Sequence, residues 1–434
     1  LAESQERMCY EVRPADVDRV RELAARFDLG CSVVGEVTDG NYVCTYTDGD
    51  GETETVVDAP AEFLADGAPT NDLDAVEPEP QPRDLPDVDL GEAFEAVVGS
   101  PSTASKAWVY RQYDHEVGTR TAVGPGGDAA LLAVREAGVG LALSSGAEPN
   151  WTDAAPYDGA RAVALENATN VAATGARPLA AVDCLNGGNP EKPEVYGGFR
   201  AVVDGLAEMC ADLSVPVVGG NVSLYNDSET GPVAPTPTLA MVGTRAGFGL
   251  DAADGADGGR AALSSAFVGE GTLLVVGDHV LAGGDAGLGG SEYLARFGGT
   301  DRFPTLPERP AALVDALATV ADSEGTLAVH DASHGGLVVT LAEMVTDGAG
   351  ATVTLDAADA SPSELLFHEQ AGRAVVETTD PDAVRAAFEG VAPVAEVGRA
   401  DDSGALSVTV DDESLRADAA TVRDLRSVLD EELA

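Results

Sequence analysis

Two side chains in this sequence are placed to hold a metal-bound phosphate. The apolar run Leu179–Val182 ends on Asp183, and the run Val215-Pro216-Val217-Val218 closes on Gly219-Gly220-Asn221-Val222-Ser223. Each run has the length of a buried strand. As two strands of one sheet they would put Asp183 and Asn221 at strand ends, where ligands commonly sit in α/β layers. A carboxylate and an amide oxygen, beside a Gly-Gly backbone open to close approach, suit Mg2+ held against phosphate. On spacing alone, a Gly-Asn turn with Asp183 capping the next segment is the simpler account.

A second candidate is the loop Gly124-Pro125-Gly126-Gly127-Asp128, ahead of another apolar run. Its backbone N–H groups can cradle phosphate with Asp128 on a metal, although hairpin turns of this composition are common. A third is His330-Asp331-Ala332-Ser333-His334-Gly335-Gly336-Leu337, which ends a strand pattern and opens a helical one. Gly335-Gly336 at a helix N-terminus can bind an anion through free N–H groups, or can simply let the helix pack close to the sheet. His115, in Gln-Tyr-Asp-His-Glu-Val, reads as structural.

The elements that must position these residues read as α/β. A helical pattern over Asn167–Ala176, stopped by Gly175, Arg177 and Pro178, leads into the first run, and a second helical pattern joins the two runs. Lys106–Gly249 therefore reads as one complete domain, with strands at Val134–Leu143, Leu179–Val182, Val215–Val218 and Thr238–Val242. A Gly/Asp-rich break over Asp251–Arg260 separates it from a second domain, Ala261–Thr409. The strands expected there are Gly271–Val276, Thr326–His330, Ala351–Leu355, Ala374–Thr378 and Leu406–Val410. Asp411–Ala434 reads as a charged C-terminal helix. Residues 72–105 are rich in acid and Pro and read as an extended linker with one short helix near Leu90–Val98.

The opening residues repeat a stretch near the other end. Glu3 and Arg7 match Glu369 and Arg373, Glu11 and Pro14 match Glu377 and Pro381, and Val34-Gly35 matches Val397-Gly398. Met8–Val12 alternates like a strand and Asp16–Phe27 has helical spacing. Cys31–Glu36 and Tyr42–Tyr46 read as strands either side of the Thr38-Asp39-Gly40-Asn41 turn. Such a repeat implies a duplicated unit. The later copy follows the front part of its own domain, so residues 1–71 read as the back part of a similar one.

The chain has 434 residues, enough for roughly two or three domains. It carries 75 Asp and Glu against 25 Lys and Arg, a net charge of −50, yet its 44% apolar content is that of a folded protein. The acids are spread over every segment, and Lys106 and Lys192 are its only lysines. A solvated carboxylate surface of this kind fits work in concentrated salt, where self-repulsion is screened, better than an acidic patch for a basic partner. It argues against nucleic acid or anionic membrane as partners. No apolar run approaches membrane-spanning length, and no signal-peptide pattern opens the chain. The five cysteines form no CxxC pair, which reads as reduced thiols in a cytoplasmic protein.

The wording of these segments resembles the phosphoribosylformylglycinamidine synthase family. ATGARPLAAVDCLNGGNPEKPEV and PVVGGNVSLYN carry the likeness. LAESQERM (1–8), WVYRQYDHEVGTR and GPGGDAALL (108–132), LGGSEYL (288–294) and HDASHGGLVVTLAEM (330–344) follow in the expected order. The resemblance implies an α/β fold built from the A-B domain pairs of the aminoimidazole ribonucleotide synthase-like ATP-binding superfamily. Residues 1–71 would be the C-terminal part of a first B domain and 72–105 an acidic Pro-rich linker. Residues 106–250 would be a second A domain, and 260–434 a second B domain with its C-terminal helix. In the family the first A domain supplies the catalytic His, most ATP contacts and further Mg2+ carboxylates, so no catalytic residue is expected in this chain.

By the same resemblance, Glu3, Ser4, Gln5 and Ser223 contact the substrate, Asp183 and Gly220 contact ATP, and Asn221 is a Mg2+ ligand. Gly126, Gly127 and Asp128 would form an auxiliary nucleotide site. Several positions depart from the family pattern. His334 stands for Asp, His368 for Gly and Gly187 for Phe, while Gln370 and Ala371 break the second Glu-Ser-Gln. Asn170 lies where the paired A domain carries a Mg2+ Asp.

The implied reaction is ATP-dependent amidation of formylglycinamide ribonucleotide to formylglycinamidine ribonucleotide in de novo purine biosynthesis. Glutamine-derived ammonia would displace an iminophosphate made with ATP, and Mg2+ would neutralise the phosphoryl charge. The implied partners are a glutaminase subunit, a small bridging subunit and the missing N-terminal half. Two other readings stand beside this one. A single A-B enzyme of the superfamily, such as the cyclising synthase one step later or a selenium or thiamine phosphate enzyme, would leave the repeat unexplained. The other is a non-catalytic half that binds nucleotide only at the auxiliary site and needs the missing domain for activity.

If the surface charge is an adaptation to salt, the melting temperature should rise steadily from dilute buffer to molar KCl. A flat melting curve across KCl concentrations would contradict it.

Overall fold

The computed structural model describes residues 7–67, 71–77, 82–248, 263–357 and 360–433, in two units, Leu1–Asp72 and Leu73–Ala434. In the first unit, Pro14 opens a turn of 3₁₀ helix that runs into α1 (Val17–Arg26). An antiparallel hairpin follows, β1 (Tyr42–Thr47) with β2 (Thr53–Ala59), and then α2 (Ala61–Asp66). Neither helix buries a residue. Met8–Val12 and Cys31–Glu36, expected as strands, have no regular structure. Glu3, Ser4 and Gln5 lie outside the described residues.

The second unit opens with α3 (Leu90–Val98), capped by Asp89, whose carboxylate accepts from the Gly91 and Glu92 N–H groups. Leu90, Ala93, Phe94, Val97 and Val98 fall on one helical stripe and are all buried. The acid- and Pro-rich stretch thus contributes to a core and is more than an extended connector. The short α4 (Ala107–Tyr110) leads into a six-stranded sheet. Its elements in chain order are β3 (Thr121–Val123), β4 (Ala130–Val134), β5 (Val139–Gly146), α5 (Pro149–Ala154), α6 (Pro156–Ala173), β6 (Arg177–Asn186), α7 (Pro193–Asp212) and β7 (Val217–Ser223). A two-residue ladder, β8 (Asp227–Ser228) with β9 (Gly231–Pro232), precedes β10 (Thr236–Ala246).

The sheet order is β3-β4-β5-β10-β6-β7, with β7 parallel to β6 and the other pairs antiparallel. The strand expected at Val134–Leu143 is instead a hairpin, turning at Arg135–Gly138 with Val134 opposite Val139. Asp183 and Asn221 are not at strand ends, because β6 and β7 pair onward as far as Asn186 and Ser223.

Along β4, β5 and β10 alternate residues are buried, Leu131, Ala142, Leu239 and Met241 among them. This inner face packs on α6 and α7. The outward residues are also apolar: Leu132, Leu141, Leu143, Val182 and Val242 are half-buried to exposed. A sheet apolar on both faces is patterned for cover on both.

The second sheet has seven strands in the order β12-β14-β11-β15-β13-β16-β17. Its elements are β11 (Thr272–Val276), α8 (Glu292–Phe297), α9 (Pro310–Ala321), β12 (Thr326–Ala332), α10 (Gly336–Glu343), β13 (Gly350–Leu355) and α11 (Pro362–Phe367). They continue with β14 (Arg373–Thr378), α12 (Pro381–Phe388), β15 (Val394–Asp401), β16 (Ala405–Val410), β17 (Glu413–Asp418), α13 (Ala419–Leu425) and α14 (Val428–Leu433). The expected C-terminal helix therefore begins as a strand, β17, paired antiparallel with β16. One face of this sheet (Leu274, Val276, Val329, Val376) shares a core with α6, α7, α9 and α12. The other face (Leu273, Val275, Val353, Val408) packs on α3, α8, α10 and α11. The layers thus run sheet, helices, sheet, helices. Squeezed between the two sheets, α6 buries 15 of its 18 residues and is correspondingly rich in Ala. No helix among the described residues is long and apolar enough to cross a membrane.

The sequence repeat explains the missing strands of the first unit. In the second copy, Ala374–Thr378 lies in β14, between β12 and β11. Those two strands come earlier in the chain than β14, and residues 7–67 contain no counterpart of them. A strand without neighbours leaves its N–H and C=O groups unpaired, so Met8–Val12 does not form one. The hairpin β1–β2, which matches β16–β17, supplies its own ladder and does form.

Glu377, on β14, is fully buried and accepts backbone N–H bonds from Val268 (2.7 Å), Gly269 (3.0 Å), Glu270 (2.9 Å) and Gly271 (2.9 Å). Removing this acceptor takes away the shared partner of four amides, the innermost of which, at Gly271, is buried. Glu377→Ala should therefore cost at least about 3 kcal/mol of stability, read as a lower denaturant midpoint at fixed salt.

Candidate functional site

Parallel pairing of β6 and β7 sets Asp183 opposite Gly220, Cys184 opposite Asn221 and Asn186 opposite Ser223. Paired residues share a face and neighbours along a strand alternate, so Asp183 points to the helix side while Asn221 and Ser223 point outward. The Asp183 carboxylate lies across Gly220, where a Cβ would come within 1.9 Å of Oδ1, so no other residue fits there. Burial raises the Asp183 pKa, and a bond from the Asn221 N–H opposes that shift. Burial, with the Asp183 charge behind it, pushes the Cys210 thiol on α7 up to about 11.

On the outward face, the Asn226 amide donates to Ser223 Oγ (3.1 Å) and to the Ser223 carbonyl (3.0 Å). Asn221, Ser223 and Asn186 form a polar end to the otherwise apolar outward face. One metal ion cannot take both Asp183 and Asn221 directly, since they lie on opposite faces. The exposed Asn221 amide oxygen fits Mg2+ as a single ligand of a site whose remaining oxygens come from elsewhere.

The loop Gly126–Asp128 lies at the other side of the sheet, before β4; Gly126 and Gly127 are exposed, and Asp128 reaches into a separate buried cluster. Asp128 meets His330 of β12, Oδ1 to Nδ1, at 2.5 Å, and the far nitrogen of His330 lies 3.0 Å from Glu343 at the end of α10. Glu343 in turn pairs with Arg426. His334 Nε2 lies 2.7 Å from Glu148, the residue before α5, and 3.7 Å from Glu166 of α6. Arg426 donates a hydrogen bond to Glu343, whereas His330 Nδ1 against Asp128 and His334 Nε2 against Glu148 and Glu166 are close contacts outside hydrogen-bond geometry.

Burial opposes charge on both histidines, yet Asp128 and Glu343 hold the His330 pKa well above its ordinary value, and Glu166 and Glu148 do the same for His334. Asp331 is held well above the usual carboxylate range by burial and then by Asp128 and Glu166. The ligand atoms of Asp128, His330 and Asp331 lie within 4.8 Å of one another. Two carboxylates and an imidazole fit a divalent cation when the imidazole is neutral; protonated, His330 supplies the positive charge itself.

Of the glycine pair that opens α10, Gly335 meets a carboxylate from within the chain, while the Gly336 N–H donates to the Ser333 carbonyl. Gly335 N–H donates to Glu369 Oε1 (2.7 Å), joined by Glu292 N–H (2.8 Å), while Trp151 Nε1 donates to Glu369 Oε2 (2.7 Å). Burial and the nearby Glu148 raise the Glu369 pKa to about 7. His115 is exposed and its ring contacts the Tyr113 carbonyl. Asn170 is buried on α6 beside Glu166. The sequence reading did not single out Glu148, Glu166 or Glu343. Glu166 had one signal: with Asn167 and Asn170 it interrupts the small apolar run of Ala162–Ala173, in the part of the helix that has no exposed face to hold it.

A histidine whose folded pKa is raised stabilises fully below its unfolded pKa, and that stability is lost as pH rises through the folded value. Above pH about 6.5, each of His330 and His334 should remove about 1.4 kcal/mol per pH unit until it deprotonates. Thermal melts from pH 6 to 9 at fixed salt should show this decline, with a shallower slope for His334→Gln. An equal slope in the variant would contradict it.

Two domain families match the sequence that builds these sheets. The AIR synthase related protein N-terminal domain matches residues 126–245, and its C-terminal domain matches residues 275–411; together they take up more than half the chain. Phosphoribosylformylglycinamidine synthase subunit PurL of Natronomonas pharaonis is 66% identical over the whole chain, which covers 58% of that relative. The subunit from Haloarcula marismortui is 64% identical with the same coverage, and that of Methanosarcina barkeri is 41% identical over 88% of the chain and 52% of its own length. Thermotoga maritima PurL complexed with ATP shares the fold, with a TM-score of 0.57 at 22% identity, over 89% of this chain and 53% of that one. The chain spans just over half the length of the relatives it matches. It belongs to the AIR synthase related family, and within that family it is similar along its whole length to the PurL subunits of halophilic archaea.

Proposed function

We propose that the chain is the carboxyl-terminal portion of a phosphoribosylformylglycinamidine synthase. The complete enzyme would convert formylglycinamide ribonucleotide, ATP and glutamine-derived ammonia into the amidine, ADP and phosphate in the cytoplasm. The observation that carries this reading is 66% identity over the entire chain to a subunit of that name, because the residues placed together on β6 and β7 lie within the matched stretch. Asp183 and Gly220 would contact ATP, Asn221 would give one oxygen to Mg2+, and Ser223 would touch the ribonucleotide, with Glu3, Ser4 and Gln5 on the substrate's other side. ATP supplies the phosphoryl group that turns the substrate's amide oxygen into a leaving group. This chain's part is to fix where nucleotide and substrate meet, at the β6–β7 edge of the sheet, with Asp183 and Gly220 on the helix side and Asn221 and Ser223 at the polar end of the outward face.

The apolar remainder of that face is patterned for a covering layer, which suits a second A-type domain in the missing N-terminal half. A glutaminase subunit and a small bridging subunit would deliver the ammonia. The cluster of Asp128, His330 and Asp331 supports a further, non-catalytic role for the second half as an auxiliary nucleotide site, with Gly126 and Gly127 against phosphate.

By itself the chain should release no phosphate from ATP in response to ammonia and substrate. Addition of the N-terminal part of the Natronomonas relative should restore release. In that assembly Asp183→Ala and Asn221→Ala should each lose about 2–4 kcal/mol of transition-state stabilisation. Turnover by the chain alone, or wild-type rates in both variants, would overturn the assignment.

A further inference from the structure

Beyond Asn186 and Ser223 the chain leaves β6 and β7 through two loops, and these are tied to each other. The Gly187 N–H donates to the Ser223 carbonyl (2.9 Å), the Tyr225 N–H to the Gly188 carbonyl (3.0 Å) and the Asn226 N–H to the Gly187 carbonyl (3.2 Å). Tyr225 takes a left-handed backbone (φ 63°), which residues other than glycine seldom adopt. Asp227 adds an outer tie, accepting from the Asn189 N–H (3.0 Å) and pairing with Lys192.

Asn226 is half-buried in this turn. Its side-chain nitrogen faces the Ser223 carbonyl (3.0 Å), the Gly187 carbonyl (3.1 Å) and Ser223 Oγ (3.1 Å). Carbonyls only accept, so the first two contacts fix which end of the amide carries the protons. Ser223 Oγ, on that same side, accepts as well. Among the described residues the hydroxyl proton of Ser223 has one acceptor, Asn226 Oδ1 at 3.4 Å, beyond the ordinary range of an O–H···O bond.

We infer that Asn226 is a positioning residue that makes the Ser223 hydroxyl a hydrogen-bond donor toward the bound ligand. With its oxygen taken by Asn226, Ser223 offers its proton outward, so the atom it recognises is an acceptor oxygen. An amide turned the other way would draw that proton inward and leave Ser223 to meet the ligand as an acceptor. The inference rests on the proposed function for the ligand, the ribonucleotide. It adds the direction of that contact and the residue that sets it. Asn226 makes no hydrogen bond to Gly220 or Asn221, the residues assigned to ATP and Mg2+, so its loss should be felt by the ribonucleotide alone.

The test uses this chain assembled with the N-terminal part of the Natronomonas relative, and measures KM and kcat separately for ribonucleotide and ATP. Asn226→Asp keeps the side chain's size but replaces the donating nitrogen by an acceptor. It should raise the KM for the ribonucleotide on the order of 10-fold and leave the KM for ATP within about twofold. Asn226→Ala, free of any repulsion between a carboxylate and the two carbonyls, should show the same split, and so should Ser223→Ala. Asn226→Asp combined with Ser223→Ala should be no worse than Ser223→Ala alone, since both changes remove one contact. Lys192→Gln loosens the outer tie without touching Ser223 and should leave both KM values within about twofold of wild type. Equal rises in both KM values, additive effects in the double variant, or a wild-type KM in Ser223→Ala would overturn the inference and leave the proposed function standing. A Lys192→Gln effect as large as that of Asn226→Asp would do the same, by making the stiffness of the turn the whole cause. No turnover in the wild-type assembly would overturn both.

Discussion

A β-strand is made by its neighbours, and in this chain that requirement decides what is ordered and what is placed. Backbone groups removed from water need partners, so an extended segment becomes a strand only where another offers a ladder. β6 and β7 satisfy each other in parallel, and that register alone brings Asp183, Gly220, Asn221 and Ser223 to one edge of the sheet. The same requirement, unmet, leaves Met8–Val12 as coil although its counterpart is the most enclosed strand of the second sheet.

Charge works on two scales here. The 75 acidic residues give the surface its salt-tolerant character and carry little individual information. A few of them are buried, and each has been given a specific counterweight: Asp278 has Arg373, Glu343 has Arg426 and His330, and Glu377 and Glu369 have backbone amides. Where the counterweights are histidines, the interior between the two sheets acquires a proton-dependent charge that the rest of the molecule lacks. The carboxylates around His330 and His334 favour the charged form of each imidazole there.

Much of the strand content was legible from apolar runs, because Leu179–Val182, Thr326–His330 and Leu406–Val410 are short and bounded by polar or turn residues. The duplication was legible from a handful of paired residues, and with it the kinship of the first unit to β14–α13. What could not be read was whether neighbours exist, since alternation reports which face would be buried and not whether anything buries it. Strand ends were misplaced for a related reason: Gly219-Gly220 looks like a turn, but both stand mid-strand, and Gly220 makes room there for the Asp183 carboxylate. The buried acids were hidden by composition. Glu148 and Glu343 look like any of their surface kin, and only contacts far apart in sequence set them apart.

The position of α6 has a mechanical consequence. It carries Glu166 and Asn170 into the histidine cluster, while Val171 and its neighbours pack on the strands leading to Asp183. A rotation by a single residue, about 100°, would swing Glu166 out of the cluster and into hydrocarbon. With sheets pressing from both sides there is no solvent-facing surface into which the helix could roll. A change in the seating of α6 would therefore disturb the histidine cluster and the packing behind Asp183 together.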